Sequence, residues 1–235
     1  MITVALIGNP NVGKTALFNR LTGSRQHVAN WPGVTVMKKT GRCRHKGEEM
    51  EIVDLPGVYS LTAASIDQLI ARNFIVEEKP DVVVHIVDAT NLERNLYLTL
   101  LLLELEANVV LALNMWDLVK ARGDQIDVDK LSKLLGIPVV PTVATTGEGI
   151  EKLKDEILRV AKDKPERRLM VGYGEKFEKL IGKLEDVLRK DEKLAGRYPL
   201  RWLAIRILEK DEDVLKKVGE SSVKDEVSKV VKVFE

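Results

Sequence analysis

The stretch "TVALIGNPNVGKTALF", residues 3–18, decides the fold. Five residues typical of a strand run into a turn with two glycines, and a helical pattern follows. Residues 8–15 match G-x-x-x-x-G-K-[ST], the pattern in which backbone N–H groups surround phosphate oxygens between a strand and a helix. A chance glycine-rich turn would lack the Lys-Thr pair and the preceding strand. The stretch therefore predicts a phosphate-binding loop.

Each residue of this loop has a separate predicted role in binding the nucleotide. Gly8 and Gly13 let the backbone approach phosphates at a helix N-terminus. We expect Lys14 to reach the β- and γ-phosphates and the Thr15 hydroxyl to ligate Mg²⁺. The predicted nucleotide-contacting segment consists of Gly8, Asn9, Pro10, Asn11, Val12, Gly13, Lys14, Thr15 and Ala16.

Strand-like runs alternate with helical patterns up to about residue 162, which is typical of a parallel sheet flanked by helices. A hairpin of Thr35–His45 and Met50–Asp54 adds an antiparallel edge strand. The prediction for residues 1–165 is an α/β domain with a mostly parallel six-stranded sheet. Besides the edge strand from Thr35–His45, the predicted strands are Thr3–Ile7, Glu51–Asp54 (the second arm of the hairpin), Val82–Asp88, Val109–Asn114 and Pro138–Thr142.

The pattern becomes purely helical from Glu175 onward, where apolar residues recur at helical spacing. Pro199 is suited to opening a second helix, and Ser222 is suited to capping a third that runs through Phe234. We therefore predict a small all-helical C-terminal domain over residues 166–235.

A second polar motif, "DLPG", follows a predicted strand. Asp54 is expected to hold the Mg²⁺ shell, and the Gly57 N–H to meet the γ-phosphate. Taken alone, an aspartate at a strand end is as often a turn cap, but its place downstream of the phosphate loop favours the metal. The following residue is Val58, where many hydrolases of this class carry a water-orienting glutamine.

A third motif, "NMWD", contains Asn114, Met115 and Asp117 and ends another predicted strand. A carboxylate there can accept hydrogen bonds from guanine N1–H and N2–H₂ together, whereas adenine has an acceptor at N1 and no donor at C2. The motif, downstream of the other two, therefore predicts GTP and GDP as the ligands.

Composition limits the partners. Lys and Arg number 37 against 36 Asp and Glu, so the net charge of +1 gives no bulk attraction to nucleic acid or anionic lipid.

The sequence also indicates the compartment. A single cysteine excludes an internal disulfide framework and fits a reducing compartment. The N-terminus lacks the features of a signal peptide, and no apolar run approaches the length of a bilayer. We expect a cytoplasmic location and no nucleic-acid partner.

Together the segments "GNPNVGKTALFNRLTG", "NWPGVTV", "DLPGVYSL" and "NMWD" resemble the cytoplasmic G domain of the ferrous iron transport protein B (FeoB) family. The helical tail resembles the spacer domain that links this G domain to a membrane permease. The resemblance implies a P-loop GTPase fold, GTP hydrolysis and a regulatory role at the cytoplasmic face of the cell membrane. It makes the permease segment of the same polypeptide the expected partner, and it leaves homo-oligomerisation through the full transporter open.

The resemblance also assigns residue roles. It implies that Thr35 binds Mg²⁺ together with Thr15 and Asp54, within a mobile switch I that spans residues 26–40. Switch II begins at Gly57. Asn11 is implied to ligate a K⁺ that stimulates slow hydrolysis, and with Lys14, Thr35 and Gly57 it makes up the expected catalytic set.

The base-binding loop "TVATTGEG", residues 142–149, is expected to contact guanine through Val143, Ala144 and Thr145, with the Ala144 N–H facing the base oxygen. Val143 replaces a serine that is common in relatives, and Met115 replaces the lysine of the usual N-K-x-D signature.

One alternative is a soluble ribosome-assembly GTPase of the translation-factor-like class. Those relatives usually carry N-K-x-D and an added basic RNA-binding domain, whereas this chain has Met115 and a charge-balanced helical tail.

The remaining histidines and aromatic residues give no site. His27, His45 and His85 are too scattered in sequence to indicate a metal centre, and His85 within "VVVHIVD" is expected to be a core or strand-edge residue. Trp31, in the switch I segment, is expected to face solvent.

The guanine assignment can be tested with Asp117→Asn. The amide can donate to the carbonyl that replaces the exocyclic amine in xanthine, so the variant should bind GTP more weakly and prefer xanthosine triphosphate. Titration with fluorescent nucleotides measures both affinities. Undiminished GTP affinity in the variant would remove Asp117 from the base site.

Overall fold

The computed structural model describes residues 1–23, 26–62, 64–163 and 169–232. The chain forms two compact units that divide between Leu169 and Met170, with Thr62 and Ala64 grouped with the second unit. The predicted boundary between residues 165 and 166 lies outside the described residues, so its position stays a prediction. The first unit contains the sheet, and the described part of the second contains helices and no strand.

The sheet has seven strands in the order β2-β3-β4-β1-β5-β6-β7. Strands β4, β1, β5, β6 and β7 are parallel, and β2 and β3 add an antiparallel edge. The strands are β1 (Ile2–Gly8), β2 (Gln26–Asn30), β3 (Met37–His45), β4 (Glu48–Asp54), β5 (Val82–Asp88), β6 (Val109–Asn114) and β7 (Val139–Pro141).

The predicted count of six strands is wrong by one, because Gln26–Asn30 forms β2. All five residues of β2 are exposed, and main-chain pairing with β3 forms the strand, from Gln26 opposite Gly41 to Asn30 opposite Met37. A strand without a buried face carries no apolar alternation, which is the signal that a sequence-based prediction uses. This segment belongs to the predicted switch I.

Helices cover the central strands, so β1, β5 and β6 are almost entirely buried. The carboxyl ends of β1, β4 and β6 carry the three predicted motifs to one edge of the sheet, the edge at which open α/β folds bind ligands. The helices of this unit are α1 (Lys14–Thr22), α2 (Ile66–Asn73), α3 (Leu92–Glu104), α4 (Trp116–Arg122), α5 (Val128–Leu135) and α6 (Ile150–Lys162).

His85 of β5 is a core residue, as predicted. Its side chain is fully buried, and its Nδ1 lies 2.9 Å from the Thr99 hydroxyl. Burial lowers the pKa of His85 to about 3, so the imidazole is neutral at physiological pH.

The described part of the second unit holds five helices, where the sequence pattern indicated three. The two additional helices, α8 and α10, are 6 and 8 residues long, and they begin at side-chain caps from Asp191 and Asp211. Such short helices contain too few turns to show a helical period. The helices are α7 (Glu175–Leu188), α8 (Glu192–Arg197), α9 (Leu200–Leu208), α10 (Glu212–Gly219) and α11 (Lys224–Lys232).

The start of the last helix also differs from the prediction. Helix α11 begins at Lys224, and the Ser222 hydroxyl donates to Asp191 Oδ2 at 2.8 Å. Its predicted end at Phe234 lies outside the described residues. Over the described ranges, none of the helices combines the length and apolar character that a bilayer crossing requires.

A two-pronged ion pair joins α7 to α9. Arg201 donates to both carboxylate oxygens of Glu178 at 2.8 Å, and the Tyr173 N–H adds a third hydrogen bond at 3.0 Å. These bonds favour the ionised carboxylate and lower the pKa of Glu178 to about 2, with Arg201 the largest cause. Because the folded-state pKa is depressed, the stabilisation is complete above the ordinary glutamate pKa and is lost as the pH falls toward 2.

We expect Glu178→Gln to remove this pH dependence. At neutral pH the variant should show roughly fivefold lower amide protection in α7 and α9, since a partly screened ion pair contributes about 1 kcal/mol. Hydrogen exchange of the whole chain, corrected for intrinsic rates, measures this from pH 7 to pH 3. The matched control is Glu175→Gln, which breaks an exposed pair with Lys179 on the same helix. Equal protection in the two variants would contradict the assigned role.

Candidate nucleotide-binding site

The turn between β1 and α1 requires glycine at two positions. A Cβ on Gly8 would collide with the Ile86 carbonyl of the neighbouring strand β5. Gly13 has a φ of +84°, and a Cβ there would collide with the Asn114 side-chain amide. The exposed Asn11 between them also has a left-handed backbone, with a φ of +67°. Contacts with β5 and β6 therefore fix the path of the predicted phosphate loop.

The first turn of α1 brings Lys14 to Asp54. The Lys14 ammonium contacts Asp54 Oδ1 at the carboxyl end of β4, and the two side chains are 13% and 9% exposed. Thr15 follows on the exposed side. The structure thus brings together the predicted phosphate-binding lysine and the predicted Mg²⁺-binding carboxylate.

The Asp54–Gly57 motif packs directly on the phosphate loop. The Val58 N–H donates to the Gly8 carbonyl at 3.1 Å, and Pro10 lies in van der Waals range of a Cβ built on Gly57. The Val58 side chain is 4% exposed. Residue 58 is therefore a packing residue whose N–H is already bonded, and it supplies no polar group to the edge of the sheet.

Asn114 links the phosphate loop to the base-binding loop. Its buried amide donates from Nδ2 to the Val12 carbonyl at 2.8 Å. Its Oδ1 accepts from the Ala144 N–H at 2.9 Å and from the Thr142 hydroxyl at 3.4 Å. The Ala144 N–H, which is expected to face the base oxygen, thus bonds Asn114 Oδ1 in this structure, and its contact with a base stays a prediction.

A cleft of about 230 Å³ opens beside these contacts. It lies at the start of α4, where Met115 has a left-handed φ of +61° and Asp117 is in the first turn. Leu118 also lines this cleft, although the sequence analysis did not predict it. The lining residues are Gly13, Ala16, Asn114, Met115, Asp117, Leu118, Val143, Ala144 and Thr145. Their mixture of apolar walls and a carboxylate suits a flat, polar-edged ring.

Backbone bonds shape the base-binding loop despite the missing serine. Val143 is buried, its N–H donates to the Glu148 carbonyl at 3.0 Å, and its own carbonyl accepts from the Gly147 N–H at 2.8 Å. Sequence reasoning missed Arg20 of α1, whose guanidinium donates to the Ala144 and Thr145 carbonyls. The available signal was its position four residues after Ala16, which puts both residues on one helix face.

The structure places Thr35 in the exposed bend between β2 and β3. None of the hydrogen bonds described above involves Thr35, so its expected role as an Mg²⁺ ligand stays a prediction. The bend is closed by the Trp31 N–H, which donates to the Val36 carbonyl at 2.9 Å.

Trp31 is buried, at 7% exposure, and the prediction that it faces solvent is wrong. Its ring meets Phe74 edge to face at 5.5 Å, and the Lys38 ammonium lies 4.8 Å from the ring centroid. Phe74 opens the π-helical turn Phe74–Glu78 after α2, so an aromatic contact fixes the start of the bend that follows β2.

Comparisons with known proteins agree with this geometry. A family described as ferrous iron transport protein B matches residues 2–157, and a second family description, FeoB cytosolic helical domain, matches residues 173–235. The Fe(2+) transporter FeoB of Methanocaldococcus jannaschii is 54% identical over 228 residues, which cover 97% of this chain and 34% of that protein. The Fe(2+) transport protein A/Fe(2+) transporter FeoB fusion protein of Porphyromonas gingivalis is 44% identical and matches 94% of this chain and 26% of its own length.

Solved structures give the same result. The cytosolic domain of the T. maritima FeoB iron transporter in its GMPPNP form is 45% identical, with a TM-score of 0.86 over 98% of this chain and 86% of that one. Its GDP form I is 46% identical, with a TM-score of 0.87 over 92% and 84% of the two chains. This chain spans about a third or less of the length of the two curated relatives. By both matched families and by these relatives, the chain belongs to the ferrous iron transport protein B family.

Proposed function

We propose that this chain binds GTP and GDP with Mg²⁺, hydrolyses GTP slowly with stimulation by K⁺, and regulates a ferrous iron transporter. One observation carries the proposal: direct contacts join the three nucleotide motifs at one edge of the sheet. Lys14 meets Asp54, Val58 meets Gly8, and the Asn114 amide meets the Val12 carbonyl. An isolated phosphate-loop match would not require these contacts.

Base recognition is assigned to the cleft at the start of α4. The Asp117 carboxylate accepts from guanine N1–H and N2–H₂, and Met115, Leu118 and Ala16 supply apolar walls. The base oxygen requires a main-chain donor from the loop. The Ala144 N–H already bonds Asn114, so guanine either shares this donor or takes the N–H of Thr145 in the same turn.

The donor set fits Mg²⁺, which prefers carboxylate and hydroxyl oxygens together with substrate phosphates. Asp54 and Thr15 supply such oxygens beside the phosphate loop, and Thr35 is the third expected ligand. The Lys14 ammonium contacts Asp54 Oδ1, so bound nucleotide would draw Lys14 to its phosphates and leave this oxygen to the metal shell. When bound, the ion would neutralise charge on the β- and γ-phosphates.

Hydrolysis requires groups other than the side chain of residue 58. Lys14 binds the transferred phosphate, and Gly57 lies beside Pro10 of the phosphate loop, where its N–H would meet the γ-phosphate. Asn11 is exposed on a strained left-handed backbone, so its side-chain carbonyl is available to a cation. We assign K⁺ to this position, where it would stabilise the charge that develops between the β- and γ-phosphates.

The wider role concerns segments outside this chain. The relatives are Fe(2+) transporters several times longer than this chain, so we assign the chain to the cytoplasmic face of the membrane, with the permease segment of the same polypeptide as its partner. Homo-oligomers would form through the full transporter. The helical-domain match and the names of the relatives weigh against the ribosome-assembly alternative.

The test of hydrolysis is phosphate release from GTP in K⁺ and in Na⁺ at matched ionic strength. We expect turnover to be about tenfold faster in K⁺, because a preorganised charge at the transferred phosphate lowers the barrier. Asn11→Ala should remove the difference between the two salts.

Two further variants make this test specific. Asn108→Ala, at the amino-terminal edge of the sheet, should keep the K⁺ effect. Val58→Ala removes buried methyl groups, so it should lower the free energy of unfolding by about 1–2 kcal/mol while it changes turnover little. Equal rates in the two salts would refute the K⁺ site, whereas absence of GTP hydrolysis under both conditions would refute the proposed function.

A second expectation concerns release of GDP. Met115 has no ammonium stem to pack beside the phosphate loop, and Val143 supplies no hydroxyl, so labelled GDP should leave on the order of seconds without an exchange factor. Stopped-flow fluorescence measures the rate. Met115→Lys should slow release, whereas Met170→Lys, at an exposed methionine of the helical unit, should not. Release that takes many minutes from the native chain would count against a loosely held base.

A further inference from the structure

Arg20 lies in the last turn of α1 and reaches the base-binding loop, residues 142–149. Its Nε donates to the Ala144 carbonyl at 3.1 Å, and its Nη2 donates to the Thr145 carbonyl. One planar guanidinium thus holds two consecutive carbonyls, a geometry that a lysine ammonium cannot reproduce. Among the described residues no carboxylate pairs with Arg20, so these carbonyls are its main polar partners.

The loop backbone bends around this cation. Gly147 has a φ of +92°, and a Cβ built on it would lie 3.9 Å from the guanidinium carbon of Arg20. The Gly147 N–H donates to the Val143 carbonyl at 2.8 Å, which closes the turn on the same side. The guanidinium therefore bonds two consecutive carbonyls of the loop and lies close to the turn at Gly147.

Asn114 holds the other side of the same residue, Ala144. The Ala144 N–H bonds Asn114 Oδ1, while the Ala144 carbonyl bonds Arg20. A residue fixed at both its N–H and its carbonyl has little freedom to rotate. The segment that lines the base cleft, Ala144 and Thr145, is consequently positioned by Asn114 from β6 and Arg20 from α1.

Helix α1 also carries the phosphate end of the site. Lys14 is its first residue, and Ala16 lines the base cleft four residues before Arg20. Leu17, Phe18 and Leu21 bury the opposite side of the helix in the core. A single nine-residue helix therefore connects the phosphate contacts with the loop that covers the base.

We propose that Arg20 is a positioning residue that sets how long this chain retains its nucleotide, by clamping Ala144 and Thr145 over the base. The inference rests on the proposed guanine-nucleotide binding and adds a determinant to it. The clamp acts beside the backbone bond from Gly147 to Val143 that closes the loop. Its removal loosens the base end of the site and leaves the phosphate end intact.

The experiment is stopped-flow release of labelled GDP from the native chain and from Arg20→Ala, Arg20→Gln and Arg20→Lys. Loss of two charge-assisted hydrogen bonds should speed release about tenfold in the alanine and glutamine variants, with lysine in between. The association rate should change less. Arg159→Ala is the matched control, since Arg159 also donates through Nε and Nη2, but to Glu156 on its own helix.

Two further readouts separate a clamp from a general structural role. Competition by inorganic tripolyphosphate, which contacts the phosphate end alone, should be unchanged in Arg20→Ala. Amide exchange should accelerate in residues 144–148 and stay the same in β1 and β5. Weaker tripolyphosphate binding, or faster exchange across the central strands, would overturn the clamp in favour of a general loss of stability.

The outcomes distinguish the two proposals. If the native chain fails to bind GDP, both the proposed function and the clamp are refuted. If the native chain binds GDP and the Arg20 variants release it at the native rate, the clamp alone is refuted. Should Arg20→Ala not fold, the lysine and glutamine variants keep the same carbon stem and carry the same test.

Discussion

The buried amide of Asn114 is the contact on which the rest of the site depends. It is bonded on one side to the phosphate loop and on the other to the base-binding loop, which lie far apart in sequence. Burial makes this arrangement stringent, because an amide without partners in the core costs more free energy than a satisfied one contributes. Gly13 follows from the same constraint, since any side chain there would occupy the space of the amide. The position of the strand end of β6 therefore determines the shape of both loops.

Most of the fold was predictable from local patterns. The strand, loop and helix at the N-terminus are a continuous sequence signal, and the buried parallel strands such as Val82–Asp88 are apolar enough to be identified individually. The features that were missed have no local apolar pattern. Strand β2 is exposed on every residue, and helices α8 and α10 are too short to show a period.

The site was predictable to the level of its motifs and not to the level of its contacts. Glycine spacing and the Lys14–Thr15 pair identify the phosphate loop because the chemistry lies within eight residues. The Ala144 N–H bonds Asn114, which lies 30 residues earlier, and the Ala144 carbonyl bonds Arg20, which lies 124 residues earlier, so the sequence around Ala144 records neither contact. Trp31 illustrates the same limit, since its partner Phe74 lies in another element.

The exposure of strand β2 has a consequence for how this edge of the sheet can rearrange. Its residues pair with β3 in a continuous antiparallel ladder, and none of its side chains is buried. In the proposed function, a rearrangement that carries Thr35 toward Mg²⁺ would either leave this ladder intact or separate β2 from β3, because a shift of one residue would mismatch its hydrogen bonds. Since all five residues of β2 are exposed, separation would break main-chain hydrogen bonds without exposing buried apolar side chains of β2.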